Sequence, residues 1–118
     1  MSANQEQTEN FTRGDRRTPI GRTLAQGGAA IDGTGLTLEA RLVAEDGEEI
    51  HDWTSTGVSW NPASEGKAQY EFQSSVWSSI ATHGGYEYFL WFRVTASGKT
   101  DVFPCDGRKL RILVNEAD

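Results

Sequence analysis

Strict two-residue alternation of apolar and polar positions is the strongest signal in the chain. Over 36–43, Leu36, Leu38, Ala40 and Leu42 share one face, and Thr37, Glu39, Arg41 and Val43 share the other. That is the pattern of a half-buried strand. Asp46-Gly47 is a turn signal, and 48–53 can return as its hairpin partner. Ala68, Tyr70 and Phe72 alternate with Lys67, Gln69 and Glu71 in the same way. In the most hydrophobic segment, 86–95, Tyr86, Tyr88, Leu90, Phe92 and Val94 form one face. Its opposite face, Glu87, Phe89, Trp91 and Arg93, is half apolar as well. Leu110, Ile112 and Val114 face inward in a last strand over 109–114. Shorter strands are predicted over 18–24, 58–60 and 100–103, and Pro19 suits an edge position in the first of them.

Only 74–80 breaks this rhythm. Val76, Trp77 and Ile80 sit at helical spacing behind Ser74 and Ser75, either of which can cap, so a single helical turn is expected there. Turn signals recur at Gln26-Gly27-Gly28, Asp32-Gly33, Glu65-Gly66, Ser97-Gly98 and Asp106-Gly107. Strands punctuated at intervals of about 8–12 residues predict an all-β, immunoglobulin-like β-sandwich of about seven antiparallel strands with one short helical turn. Tyr86 and Phe92 are expected to fill the space between the sheets. No βαβ alternation supports an α/β enzyme fold. The expected organisation is a flexible arm over 1–10, one sandwich domain over 11–115 and a polar tail over 116–118.

Composition narrows the function classes. The 118 residues carry a formal net charge of −6, which speaks against binding to phosphate backbones. One basic cluster, Arg13, Arg16, Arg17 and Arg22, lies near the N-terminus. A lone cysteine, Cys105, permits no intramolecular disulfide, so the chain is expected to fold in a reducing cytoplasm. The opening MSANQEQTEN lacks the charged start and apolar core of a signal peptide. No apolar run approaches the roughly 20 residues that cross a bilayer.

Catalytic chemistry finds little support. His51 and His83 are the two imidazoles, and neither neighbours a nucleophile elbow or a reactive-cysteine signature. They are expected to be solvated surface or turn residues. Zinc needs about four ligands, and two histidines and a cysteine at scattered positions supply too few. Glu45, Asp46, Glu48 and Glu49 make an acidic hairpin tip without the spaced pattern of a calcium loop. The chain is therefore expected to be no enzyme and to bind no cofactor and no metal.

A set of small motifs recurs in a particular order. Arg13-Gly14-Asp15 comes first, then Ile31-Asp32-Gly33-Thr34-Gly35. The stretches 58–62 (VSWNP) and 65–72 (EGKAQYEF) follow. Gly85-Tyr86 opens the aromatic strand, 95–99 (TASGK) ends it, and 102–107 (VFPCDG) precedes the last strand. In this order and spacing, over nearly all of 11–114, the chain resembles the immunoglobulin-like N-terminal domain of phage baseplate upper proteins. That fold recurs in phage tails, necks and accessory virion proteins. The Gly- and Ala-rich run 25–30 departs from the acidic turn usual in that family.

The resemblance implies a non-enzymatic virion structural protein, made in the host cytoplasm. It would be an adaptor or stabilising subunit of tail, baseplate or neck that docks onto other virion proteins, expected as a symmetric oligomer within the particle. A decoration protein of the capsid is one alternative. Phe89, Trp91 and Arg93 are the candidate contact residues, because aromatic residues dominate binding hot spots. The arm over 1–10 and Arg13, Arg16 and Arg17 are secondary contacts. Neither nucleic acid nor membrane is an expected partner. A second alternative is a carbohydrate-binding module, with Trp53, Trp60, Trp77 or Trp91 stacking on sugars. A row of coplanar exposed aromatics would favour sugar, whereas an aromatic patch rimmed by Arg93 and Glu87 would favour protein.

Overall fold

The computed structural model describes residues 7–12, 19–26, 28–103 and 110–115. The strands in chain order are β1 (Gln7–Thr12), β2 (Ile20–Thr23), β3 (Ala25–Gln26), β4 (Ala29–Ala30), β5 (Thr37–Ala44) and β6 (Glu49–Thr54). They continue with β7 (Val58–Trp60), β8 (Lys67–Tyr70), β9 (Glu87–Ala96), β10 (Lys99–Phe103) and β11 (Leu110–Asn115). Among the described residues one α-helix, α1 (Ser74–His83), links β8 to β9, and a 3-10 turn (Ala63–Glu65) precedes β8.

The larger sheet runs β1-β11-β9-β5-β6, with β10 also pairing along β9. The smaller runs β2-β8-β7. With β2, β7 and β8 taken as strands B, D and E, and β5, β9 and β11 as C, F and G, this is the order of an immunoglobulin-like sandwich. β6 extends the C-F-G sheet, and all its pairs are antiparallel except β1 on β11. Gln7–Asn10, expected from sequence to lie in a terminal arm, belong to β1. A strand that joins an edge gains backbone hydrogen bonds whatever its side chains are, so a polar segment can pair there.

Alternation along β5 and β9 is as regular in space as in sequence. Leu38, Ala40, Leu42 and Ala44 point inward, as do Tyr88, Leu90, Phe92 and Val94. Leu90 lies between Leu42 and Leu110 across the ladder. Burying each such large side chain contributes about 1.5–3 kcal/mol. Phe92 is 1% exposed, as expected, but Tyr86 is 54% exposed. Tyr86 has the inward parity yet precedes β9, and although its carbonyl accepts from the Val114 N–H at 2.8 Å, its side chain lies outside the core.

The smaller sheet has strands of three or four residues facing strands of eight and ten, so it cannot cover the inner face alone. Helix α1 completes the cover. Val76, Trp77 and Ile80 join the single core cluster, and Trp77 stacks on Phe72 at 4.7 Å. The helix has ten residues instead of one turn, and its N-cap is Gln73, with neither serine capping it. Its last turn needs no apolar residue, which is why spacing alone stopped short of it.

Candidate functional site

The outer face of the large sheet carries the residues singled out by sequence. Glu87, Phe89, Trp91 and Arg93 on β9 are all half-buried. Phe89 lies between Val43 on β5 and Arg111 on β11. Trp91 faces Arg41, and Arg93 lies between Glu39 and Val102. Val102, on β10, is 40% exposed and extends the apolar centre along the strand edge. α1 belongs to the inner side, where its apolar residues enter the core, so it does not pack over this outer face.

The charges around this centre are held in place. Both Nε (3.0 Å) and Nη2 (2.6 Å) of Arg93 donate to Glu39 Oε1. The same guanidinium lies 4.7 Å above the Trp53 ring. Arg41 Nε donates to Glu49 Oε2 at 2.6 Å, and Arg111 Nη1 to Glu87 Oε2 at 3.2 Å. Trp53 reaches this face because the β5–β6 pairing is irregular. From Ala40↔Thr54 to Leu42↔His51 the ladder advances two residues on β5 and three on β6, a bulge that re-aims the edge strand. Glu87 also shares a hydrogen bond with Glu45. That contact raises the Glu45 carboxyl above its ordinary range, and with Arg111 it lowers Glu87.

The tryptophans do not form a row. Trp53 has one ring face under Arg93, and Trp77 is buried against Phe72. Trp60 packs onto Gly33 and donates its indole N–H to Leu36 O at 3.1 Å. Trp91 alone remains on the outer face without a stacked ring among the described residues. Arg13, Arg16, Arg17 and Cys105 lie outside the described residues.

Neither histidine is simply solvated. His51 Nδ1–H donates to Asp52 O at 2.8 Å, which leaves Nε2 to accept the Tyr70 hydroxyl, also at 2.8 Å. Burial drives that hydroxyl far above its ordinary pKa. His83 is brought 37 residues across the sequence to Asp46, a juxtaposition that residue spacing could not reveal. Asp46, Glu48 and His83 are the one grouping of potential metal ligands among the described residues. A shallow cleft of about 230 Å³ beside β7 and β8 is lined by Pro19, Val58, Ser59, Gln69 and Glu71, and neither histidine lines it. Among the described residues, no helix is long and apolar enough to cross a membrane.

The fold and this face together define an immunoglobulin-like β-sandwich with an aromatic, charge-rimmed sheet surface. Compared with known proteins, the chain matches no family model and no curated sequence.

Proposed function

We propose that the chain is a non-enzymatic structural subunit of a phage virion. In this proposal it binds neighbouring proteins of the tail, baseplate or neck through the outer face of β11, β9 and β5, and decoration of the capsid is the alternative location. The supporting observation is the placement of Phe89 and Trp91 on the same face of β9, inside a rim of arginines already fixed on carboxylates. Aromatic side chains give large contact area at small entropic loss, and side chains ordered before contact lose less freedom on binding. Repetition in a symmetric particle multiplies a modest affinity. Virion context is supported by the sequence resemblance. Sugar binding has less support, because stacking on glycans needs open ring faces and three of the four tryptophans are already engaged.

The test is size-exclusion chromatography with light scattering, on the chain alone and mixed with candidate capsid and tail proteins. Co-elution that is lost in Phe89→Ser/Trp91→Ser, with the circular dichroism spectrum retained, is the expected result. Val102→Lys, an exposed change on the same rim, serves if the double variant unfolds. Failure to associate with any virion protein, or association indifferent to all three changes, refutes the proposal.

A further inference from the structure

We infer that Asp46, Glu48 and His83 form a binding site for a divalent transition-metal ion of the zinc type, at the junction of the β5–β6 hairpin tip and the end of α1. One ligand atom from each residue lies within 4.8 Å of the others, and His83 Nε2 and Asp46 Oδ2 are 3.0 Å apart. A tetrahedral ion with bonds of about 2.1 Å has ligand–ligand edges of about 3.4 Å, so the 3.0 Å pair needs to open only slightly and the third ligand atom lies within reach. An imidazole with two carboxylates suits zinc-like ions and neutralises their charge, whereas calcium and magnesium favour all-oxygen sets.

Two of the three ligands are held in orientation, Asp46 by the Glu48 backbone and His83 by Tyr88 and Gly85. The Glu48 backbone N–H donates to Asp46 Oδ1 at 3.0 Å, which leaves Oδ2 turned toward the imidazole. His83 closes α1, and its side chain is only 11% exposed. Its ring meets Tyr88 edge-on at 5.6 Å, with Nδ1 3.2 Å from the Tyr88 hydroxyl oxygen. That hydroxyl spends its own hydrogen on Gly85 O at 2.8 Å, so its oxygen is able to accept. The ring is thereby pinned inward and presents Nε2 outward to the carboxylates.

In the metal-free state the Gly85 N–H donates to Nδ1 at 3.1 Å, which places the imidazole proton on Nε2, shared with Asp46. Metal binding at Nε2 displaces that proton, which exchanges through water onto Nδ1, so the ring stays neutral and carries its hydrogen there. There the Tyr88 oxygen takes it, the supporting hydrogen bond that metal-bound histidines usually make. The Gly85 amide loses its acceptor in the exchange, which holds the affinity below that of a dedicated zinc finger. A cleft of about 270 Å³ between β6 and α1, lined by Glu48, Glu49, Ser78, Ser79 and Thr82, adjoins the trio and gives water access to the remaining coordination positions. The ion would clamp the hairpin tip to the helix end, and this inference does not depend on the proposed virion role.

The experiment is isothermal titration calorimetry and thermal melting of the full chain, stripped with a chelator and titrated with zinc chloride. Calcium chloride is the control, and Glu48→Gln and His83→Gln are the variants. Glu48→Gln removes an exposed ligand without touching the His83–Asp46 tie, so it stays informative if the histidine change destabilises the fold. The expected result is one zinc per chain and a melting temperature raised by about 4–8 °C at tenfold excess over Kd. Both variants should bind at least tenfold more weakly, and calcium should give no comparable shift. Absence of zinc binding, zinc binding unchanged in both variants, or an equal response to calcium would overturn the assignment.

Discussion

Gly33 tests whether tight packing between loop and sheet holds the sandwich together. A Cβ at this position would stand 2.6 Å from Trp60 Cη2 and Cζ2 and 2.8 Å from Cε2. Ordinary contact begins near 3.4 Å, so the indole must retreat by up to 0.8 Å (3.4 less 2.6). A retreat of that size stretches the 3.1 Å Trp60 Nε1–Leu36 O hydrogen bond beyond useful range. The indole also packs against the core, so it cannot move without disturbing neighbours. Overpacking of this kind costs about 1–3 kcal/mol and the lost hydrogen bond about 1 kcal/mol, so Gly33→Ala should destabilise by about 2–4 kcal/mol. In urea unfolding followed by tryptophan fluorescence, the midpoint should fall by about 1–2 M at a slope near 2 kcal/mol per M. In a Trp60→Ala background the same change should be nearly silent, and Gly21→Ala, with nothing within 4 Å of the added carbon, is the neutral control. A loss below about 0.5 kcal/mol, or an equal loss with Trp60 absent, would refute the reasoning.

Tyr70→Phe should cost about 1–2 kcal/mol by chemical denaturation, because it deprives the His51 Nε2 of its donor at the edge of the core; a neutral effect would mean that water replaces the hydroxyl. Asp46 is lowered from its ordinary 3.8 by the Glu48 N–H and by His83. Its stabilisation is therefore present above that value and lost as pH falls through the lower folded one, so Asp46→Asn should flatten the acid limb of the stability curve. Glu45 is raised from 4.5 by Glu87, so its contribution is full below 4.5 and lost as pH rises through the folded value. Glu45→Gln should accordingly raise the melting temperature at pH 7 and leave it unchanged near pH 3, and a loss at pH 7 would contradict the like-charge contact. A double-mutant cycle on Glu39 and Arg93, both partly shielded, should return a coupling of about 0.5–1 kcal/mol that shrinks with salt.

Period-two alternation by itself determined which residues of β5, β8, β9 and β11 face the core, because a strand's parity is a local property of the backbone. Leu42, Tyr70, Leu90 and Ile112 are all fully enclosed on the side their parity assigned. Phe89, Trp91 and Arg93 share the opposite face for the same reason. Parity gives no information about where a sheet ends, which is why Tyr86 stands outside the core. Nor does it show how far a helix runs once its apolar residues are spent, as α1 continues to His83.

Tertiary structure decided everything that depends on which strands become neighbours. Pairing of β5 with β9 set Glu39 against Arg93, 54 residues away, and the bulge in β6 brought Trp53 beneath the same guanidinium. The return of α1 to the β5–β6 hairpin placed His83 on Asp46, turning an imidazole and an acidic turn, read in sequence as separate surface features, into one cluster. Such contacts arise from chain closure over long loops, whose energetics are spread through the whole core and written in no short stretch of residues.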